Sequence, residues 1–500
     1  MVSPVTKLPT APPPVKPPVT LPPRAAVGIN LAGLSTWGGE RTLMNLALNS
    51  PWKSQRPGVS GWVEMDPSRM DANGDMKALL TSELANKALT PPEGAYGPTA
   101  TRIRCTWKGK GTLAPGGSAV TNLAKSTDSF EFDWAAANGV TPKSAWVTIS
   151  KIDTTDPLRK VDCREKDASP TAMFSSKMLE SLKGFSVIRF LDWQKVNTNA
   201  PVSWARRTTA ESTVQNTDQG PAVEIMVALA NEAGIDPWFH MHWNADEEYV
   251  RRFAEYVRDH LAPGRKVYVE MSNEVWNYNF PVTNQAQAEG VAEGLSPTAG
   301  YAMFMRYAEK ATWMNKIWTD VFKADPSRLV RIVATQNNNP AAVEMILGFR
   351  DTAQYVDAVS TAPYFGGATF AGTRATITDS ANIFAFLSED VDLAISKALK
   401  AKVVAQRYGK RYIGYEGGQH VVNRGNPTLV AAINRDPRMY DMYRKYLTAW
   451  NSQIGDLMTL YAATGSFDQY GAWGLREYTG QSLAETPKRR AVQDYLSRAY

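Results

Sequence analysis

The sequence predicts an α/β chain, a (β/α)8 TIM barrel with a small antiparallel β domain inserted after the first barrel strand. Three observations predict it. Eight short apolar strand candidates recur along the chain, most of them followed by a helix, which is the pattern of parallel pairing. Residues 55–165 break that rhythm with alternating runs and Gly/Pro turns. No Gly-rich phosphate loop follows a strand, which disfavours an open doubly wound sheet.

The elements follow in order. Residues 1–25 are Pro-rich with scattered Lys, so an extended tether is expected. Residues 26–54 hold the first strand, "VGINLAGLSTW", and a short helix in "ERTLMNLALNS". The insert spans 55–165, with strand patterns such as "ATRIRCTWKG", "DSFEFDW" and "SAWVTISKID". The barrel resumes over 166–500. A helix over 172–185 precedes the strand "SVIRFLDW", and a helix over 220–234 precedes "DPWFHMHW". The run 246–261 repeats apolar residues at helical spacing, Tyr249, Phe253, Tyr256 and Val257, before the strand "KVYVEMSNEVWN". A long helix over 301–322 leads to "RLVRIVATQ" and then "YVDAVSTAPYF". A helix over 388–409 leads to "RYIGYEGGQ". The last strand is expected in "YGAWGLREY", 470–478, between helices near 438–455 and 487–496.

Composition narrows the function. Of 500 residues 43% are hydrophobic, ample for a core, yet no apolar run reaches the length of about 18 that a membrane helix needs. The net charge of +6 is spread over 55 basic and 49 acidic residues, without a nucleic-acid-binding motif. This leaves room for an acidic polymer as partner. Fifteen Trp and 20 Tyr suit stacking on flat ligands such as sugar rings. The two cysteines, Cys105 and Cys163, both fall in the insert, where pairing is open, and they exclude a cysteine-rich metal site. A Pro-rich tether often follows a cleaved signal or anchor, so a secreted, periplasmic or cell-surface location is expected.

Barrel enzymes gather their chemistry at the C-terminal strand ends. Those ends present Asn30 and Trp37, Arg189 and Trp193, His240 and His242, Asn273, Glu274 and Trp276, Tyr364, Glu416, and Trp473. Two glutamates stand out. Glu274 and Glu416 each close a strand that begins apolar or aromatic, on strands four and seven. Glycosidic cleavage needs two carboxyl groups, one to protonate the leaving oxygen and one to attack the anomeric carbon. Either Glu alone reads equally well as a helix cap or surface acid. Both together, at matching strand ends, read as a catalytic pair. Glu270, four residues before Glu274, shares its strand parity and lies lower, where a buried carboxylate needs a partner such as Arg189.

With Asn-Glu closing strand four and a second Glu closing strand seven, the barrel resembles clan A of the glycoside hydrolases, retaining (β/α)8 enzymes. "YVEMSNE" is similar to the clan's aromatic-Glu-x-x-Asn-Glu strand. The resemblance implies Glu274 as acid/base, Glu416 as nucleophile and Asn273 at the sugar 2-hydroxyl. It implies Arg189 beside the nucleophile, His240 or His242 on strand three, Tyr364 on strand six and Trp473 as a sugar platform. Val275 stands where the clan often has Pro, and "HMHW" is unusual for strand three. The chain also looks similar to exported bacterial proteins, some labelled cellulose-binding, that carry "PYF", "SNEVWN" and a β insert.

The expected function is a retaining glycoside hydrolase cleaving β-linked glycans. A polysaccharide is expected because Trp37, Trp193, Trp204, Trp243, Trp276 and Trp473 offer a row of rim aromatics. No cofactor is expected. Two rivals are weighed beside it. His240 and His242, at i and i+2 of a strand, face the same way into the barrel mouth, and with Glu274 or His420 they make a zinc or manganese ligand set for metal-assisted hydrolysis. A non-catalytic carbohydrate binder, using the Trp-bearing insert, is the other.

Overall fold

The computed structural model describes residues 24–35, 38–89, 100–135 and 143–498. Eight parallel strands close into a barrel. They are β1 (Val27–Asn30), β2 (Val187–Arg189), β3 (Asp236–Met241), β4 (Val267–Met271), β5 (Leu329–Ala334), β6 (Ala358–Thr361), β7 (Arg411–Gly414) and β8 (Met458–Leu460). Each pairs in parallel with the next, and β8 closes on β1 through Val27↔Met458 and Gly28↔Thr459.

The predicted last strand is corrected. β8 lies in "LMTLY", and 470–478 is a loop that begins beside Gly471, at φ +150°. Three residues buried on both sides carry no alternation, so the run has no period to read. The Pro-rich segment 1–25 falls almost wholly, and Trp37 entirely, outside the described residues. The short helix expected in 40–50 is one 3-10 turn, Leu46–Asn49, capped by the Asn45 side chain.

Strand alternation sorts the core into two layers. On β4, Val267, Val269 and Met271 face the helices, while Tyr268 joins Val187, Trp238, Val330, Ile332, Ala358, Ile413 and Leu457 inside the barrel. Above this apolar plug lies a polar layer of Asn30, Arg189, His240 and Glu270, each at most 1% exposed. Helix Glu247–His260 is representative of the outer ring. Asp246 caps it by accepting from Tyr249 N at 2.8 Å, a bond worth about 1 kcal/mol. Its stripe of Tyr249, Val250, Phe253, Ala254 and Val257 is buried against the sheet.

Between β1 and β2 the chain forms two antiparallel sheets. One orders Arg159–Glu165, Thr101–Lys108, Ser129–Trp134 and Val120–Lys125. The other orders Val63–Glu64, Lys53–Gln55, Leu84–Leu89, Ala145–Ile152 and Gly111–Gly116. Their buried faces share a separate core that includes Trp52, Ile103, Phe130, Phe132, Val147 and Ile149. Cys105 and Cys163 sit opposite each other on neighbouring strands and form a buried disulfide.

Candidate active site

A cavity of about 670 Å³ opens at the C-terminal end of the barrel, with Glu274 and Glu416 both in its wall. It falls in the size range of ligand clefts. Arg189, at the end of β2, organises its floor. Its Nη1 donates to Glu416 Oε1 at 2.7 Å and to Asn30 Oδ1 at 3.1 Å. Its Nη2 donates to Glu270 Oε2 at 3.0 Å and to Asn273 Oδ1 at 2.9 Å. The guanidinium also lies 4.8 Å from the Tyr415 ring and 5.3 Å from the Trp238 ring. Rigid fork geometry lets one side chain hold four acceptors in this way. Glu270 is thus the buried partner of Arg189, and Trp238 Nε1 donates to the same carboxylate at 3.0 Å.

Glu274 reaches the cavity by a turn rather than by strand parity. β4 ends at Met271, and Ser272 and Glu274 take left-handed backbone, with φ of 54° and 43°. Such conformations cost a non-glycine residue energy and concentrate at functional sites. Tyr415 OH donates to Glu274 Oε1 at 2.7 Å, and Asn277 Nδ2 to Oε2 at 2.8 Å. Glu416 accepts from Tyr364 OH at 2.9 Å in addition to Arg189.

Burial raises both carboxyl groups, Glu416 to about 8, against the pull of Arg189. The charge of Glu274 pushes Glu416 further in the same direction. Two such groups titrate as a pair, which keeps one proton near neutral pH. The two differ in their partners: Glu274 accepts from two neutral donors, whereas Glu416 touches a guanidinium, which favours the anion.

Of the residues expected at the site, Asn273, Tyr364, Trp276 and Trp473 line the cavity with the two glutamates. Asn273 Nδ2 donates to Asn197 Oδ1 at 3.0 Å. Trp473 Nε1 donates to His420 Nδ1 at 3.1 Å, which places the His420 proton on Nε2. Arg189 lies beneath the cavity wall rather than in it.

Several expectations are corrected. His240 is fully buried in the polar layer, with Nε2 3.0 Å from Glu270 Oε2. His242 follows the end of β3 and turns outward, its ring edge-on to Tyr249 at 6.3 Å. The shared direction of i and i+2 therefore fails, and neither histidine lines the cavity. Burial holds both near 4, so both are neutral. Among the described residues no three His, Cys, Asp or Glu side chains converge as metal ligands. Trp193 is 1% exposed and donates to Ala32 O at 2.9 Å, inside the barrel-helix core. Trp243 is buried against Glu289, and Trp204 stacks under Arg207 on the outer surface. The rim row of tryptophans reduces to Trp276 and Trp473 among the described residues.

Sequence reasoning missed Tyr415, Asn277, Asn197 and Tyr461. Tyr415 and Asn277 stand one and three residues from the glutamates, so "GYEGG" and "NEVWN" did carry the signal. Tyr461, which donates to Asp192 Oδ2 at 3.0 Å, follows the misplaced strand and carried none.

No family model matches the chain, and no curated protein matches it. Solved structures do. A GH51 arabinofuranosidase from Xanthomonas axonopodis pv. citri is similar at 13% identity and TM-score 0.40, over 61% of this chain and 63% of that one. A β-galactosidase from the psychrophilic Marinomonas ef1 is similar at 11% identity and TM-score 0.37, over 65% and 58%. An endo-β-1,4-mannanase from Thermotoga petrophila is similar at 13% identity and TM-score 0.35, over 65% and 75%. The chain thus spans about three-fifths of the length of the first two structures.

Proposed function

We propose that the protein is a retaining glycoside hydrolase acting on β-linked glycans, with an oligo- or polysaccharide as substrate. One observation carries this reading. Two carboxyl groups, on β4 and β7 ends, share one cavity but have different partners, a guanidinium for Glu416 and neutral donors for Glu274. Environments that separate an acid from an anion are what double displacement requires.

In the first step Glu416 attacks the anomeric carbon while Glu274 gives its proton to the departing glycosidic oxygen. The bond to the leaving sugar breaks and a glycosyl ester forms on Glu416. In the second step Glu274, now a base, takes a proton from water. The oxygen of that water attacks the anomeric carbon and releases Glu416. Protons balance over the cycle, and the anomeric configuration is kept. Asn273, held by Arg189 and Asn197, faces the sugar, and Trp276 and Trp473 supply stacking surfaces.

The buried disulfide in the insert favours an oxidising location, so we place the protein outside the cytoplasm. The test is a panel of β-linked glycans on wild type, Glu274→Gln and Glu416→Gln, with product anomers followed by NMR. Each variant is expected to lose at least about a thousandfold in kcat. Full activity in both variants, or inverted products, would sink the assignment. Sugar binding without hydrolysis by wild type would favour a non-catalytic binder instead.

A further inference from the structure

One wall of the cavity is a helix face with its own chemistry. Helix Ser380–Arg407 turns Asp390, Leu393, Ala394 and Lys397 toward the cleft. Spacing of i, i+3, i+4 and i+7 puts these four on a single stripe. Lys397 is the only Lys or Arg in the cavity wall among the described residues, and none of their carboxylates pairs with it. Leu393, between the charged ends, is 48% exposed and lines the cavity, so it offers an apolar surface to a ligand there. Asp390 Oδ2 is buried and meets no donor among the described residues. The loop of Gln336, Asn337 and Asn338 lines the cavity beside this stripe, with Asn337 Nδ2 donating to Ala394 O at 3.2 Å.

This arrangement is built for an amphipathic, hydroxylated and negatively charged group. Leu393 and Ala394 suit the C–H face of a sugar ring. Asp390 accepts from a hydroxyl that satisfies its orphaned oxygen. Lys397 has no counter-ion among the described residues, and in a cavity with four acidic side chains, Asp192, Glu274, Asp390 and Glu416, it marks where an anion is tolerated. We propose that this stripe is a remote subsite for a sugar unit bearing a carboxylate, with Lys397 pairing that carboxylate. The proposal rests on the glycosidase reading of the same cleft and names its substrate class, β-linked glycans containing hexuronic acid.

The test separates binding from turnover. The inactive Glu274→Gln protein is titrated calorimetrically with three tetramers of β-1,4-linked glucose: unmodified, oxidised at C6 to glucuronic acid, and sulfated at C6. The oxidised tetramer is expected to bind most tightly. A Lys397→Met change on that background should weaken it about tenfold, the usual worth of a charged hydrogen bond, with the loss confined to the charged ligand. Lys397→Arg should restore most of the affinity, and added salt should weaken the parent but not the Met variant. Equal loss for neutral and oxidised tetramers, or tighter binding of the neutral or sulfated tetramer, overturns the subsite. If none of the three binds, the subsite is overturned, whereas the glycosidase reading stands or falls on the glycan panel with wild type.

Discussion

The guanidinium of Arg189 donates to Glu416 at 2.7 Å while its other terminal nitrogen holds Glu270 at 3.0 Å. One buried cation thereby fixes a carboxylate of the cavity wall against a carboxylate of the barrel floor. The positions of both depend on it.

Arg189→Met is therefore expected to destabilise the fold by about 3–5 kcal/mol, because it leaves buried carboxylates without their counter-charge. Chemical denaturation measures this. Arg189→Lys should recover part of the stability but not kcat, since an ammonium lacks the planar fork. A loss below about 1 kcal/mol for Arg189→Met would contradict the buried network.

Tyr415→Phe removes the 2.7 Å donor to Glu274. That hydrogen bond favours the anion, so its loss raises the acid further. The alkaline limb of the kcat/KM profile should move to higher pH. Asn277→Ala should act in the same direction through Oε2. A downward shift in both variants would show that Glu274 is not the group that holds the proton.

Stability should fall as pH rises through the raised range of the carboxyl pair. The folded pair keeps a proton up to about 8, while both groups ionise near 4.5 in the unfolded chain. The stabilisation is complete below the unfolded value and is lost as pH climbs toward the folded one. Glu416→Gln removes one of the two competing charges. Its Tm relative to wild type should rise between about pH 5 and 8, and a constant difference would refute the shared proton.

His240 and His242 give the opposite sign. Burial holds both near 4, below the ordinary 6.5, so neutral imidazoles stabilise the fold above the unfolded value. This stabilisation disappears as pH falls from about 6.5 toward 4, by roughly 3 kcal/mol per histidine. The double variant His240→Gln, His242→Asn should flatten the decline, as read by Tm across that range.

Reducing or replacing the Cys105–Cys163 disulfide, which closes a separation of 58 residues, should cost the insert about 2–4 kcal/mol. Proteolysis under reducing conditions should cut first between 53 and 165, leaving the barrel core intact. Equal loss of both regions would mean that they unfold together.

The barrel and its two glutamates were legible because their signals are local. Seven strands carried apolar runs with polar ends, and Glu274 and Glu416 sat at the ends of two of them. β8 was not legible, because three doubly buried residues look like any short apolar run. Position along a strand places His242, Trp193 and Trp243 at the rim, yet each lies in the core. The direction of a side chain beyond a strand end depends on the backbone turn that follows. Ser272 and Glu274 in left-handed conformation show how fully such a turn overrides alternation.

The sequence by itself determined the architecture, the interrupting β domain and the two glutamates Glu274 and Glu416, since periodicity and residue chemistry are properties of neighbours along the chain. The expected pairing of Arg189 with Glu416 and Glu270 forms, while only the tertiary structure decided that Tyr415 and Asn277 serve Glu274 and that Lys397 faces the cleft from a distant helix. These relations join residues up to 227 positions apart, and only closure of the barrel brings such residues within hydrogen-bonding reach.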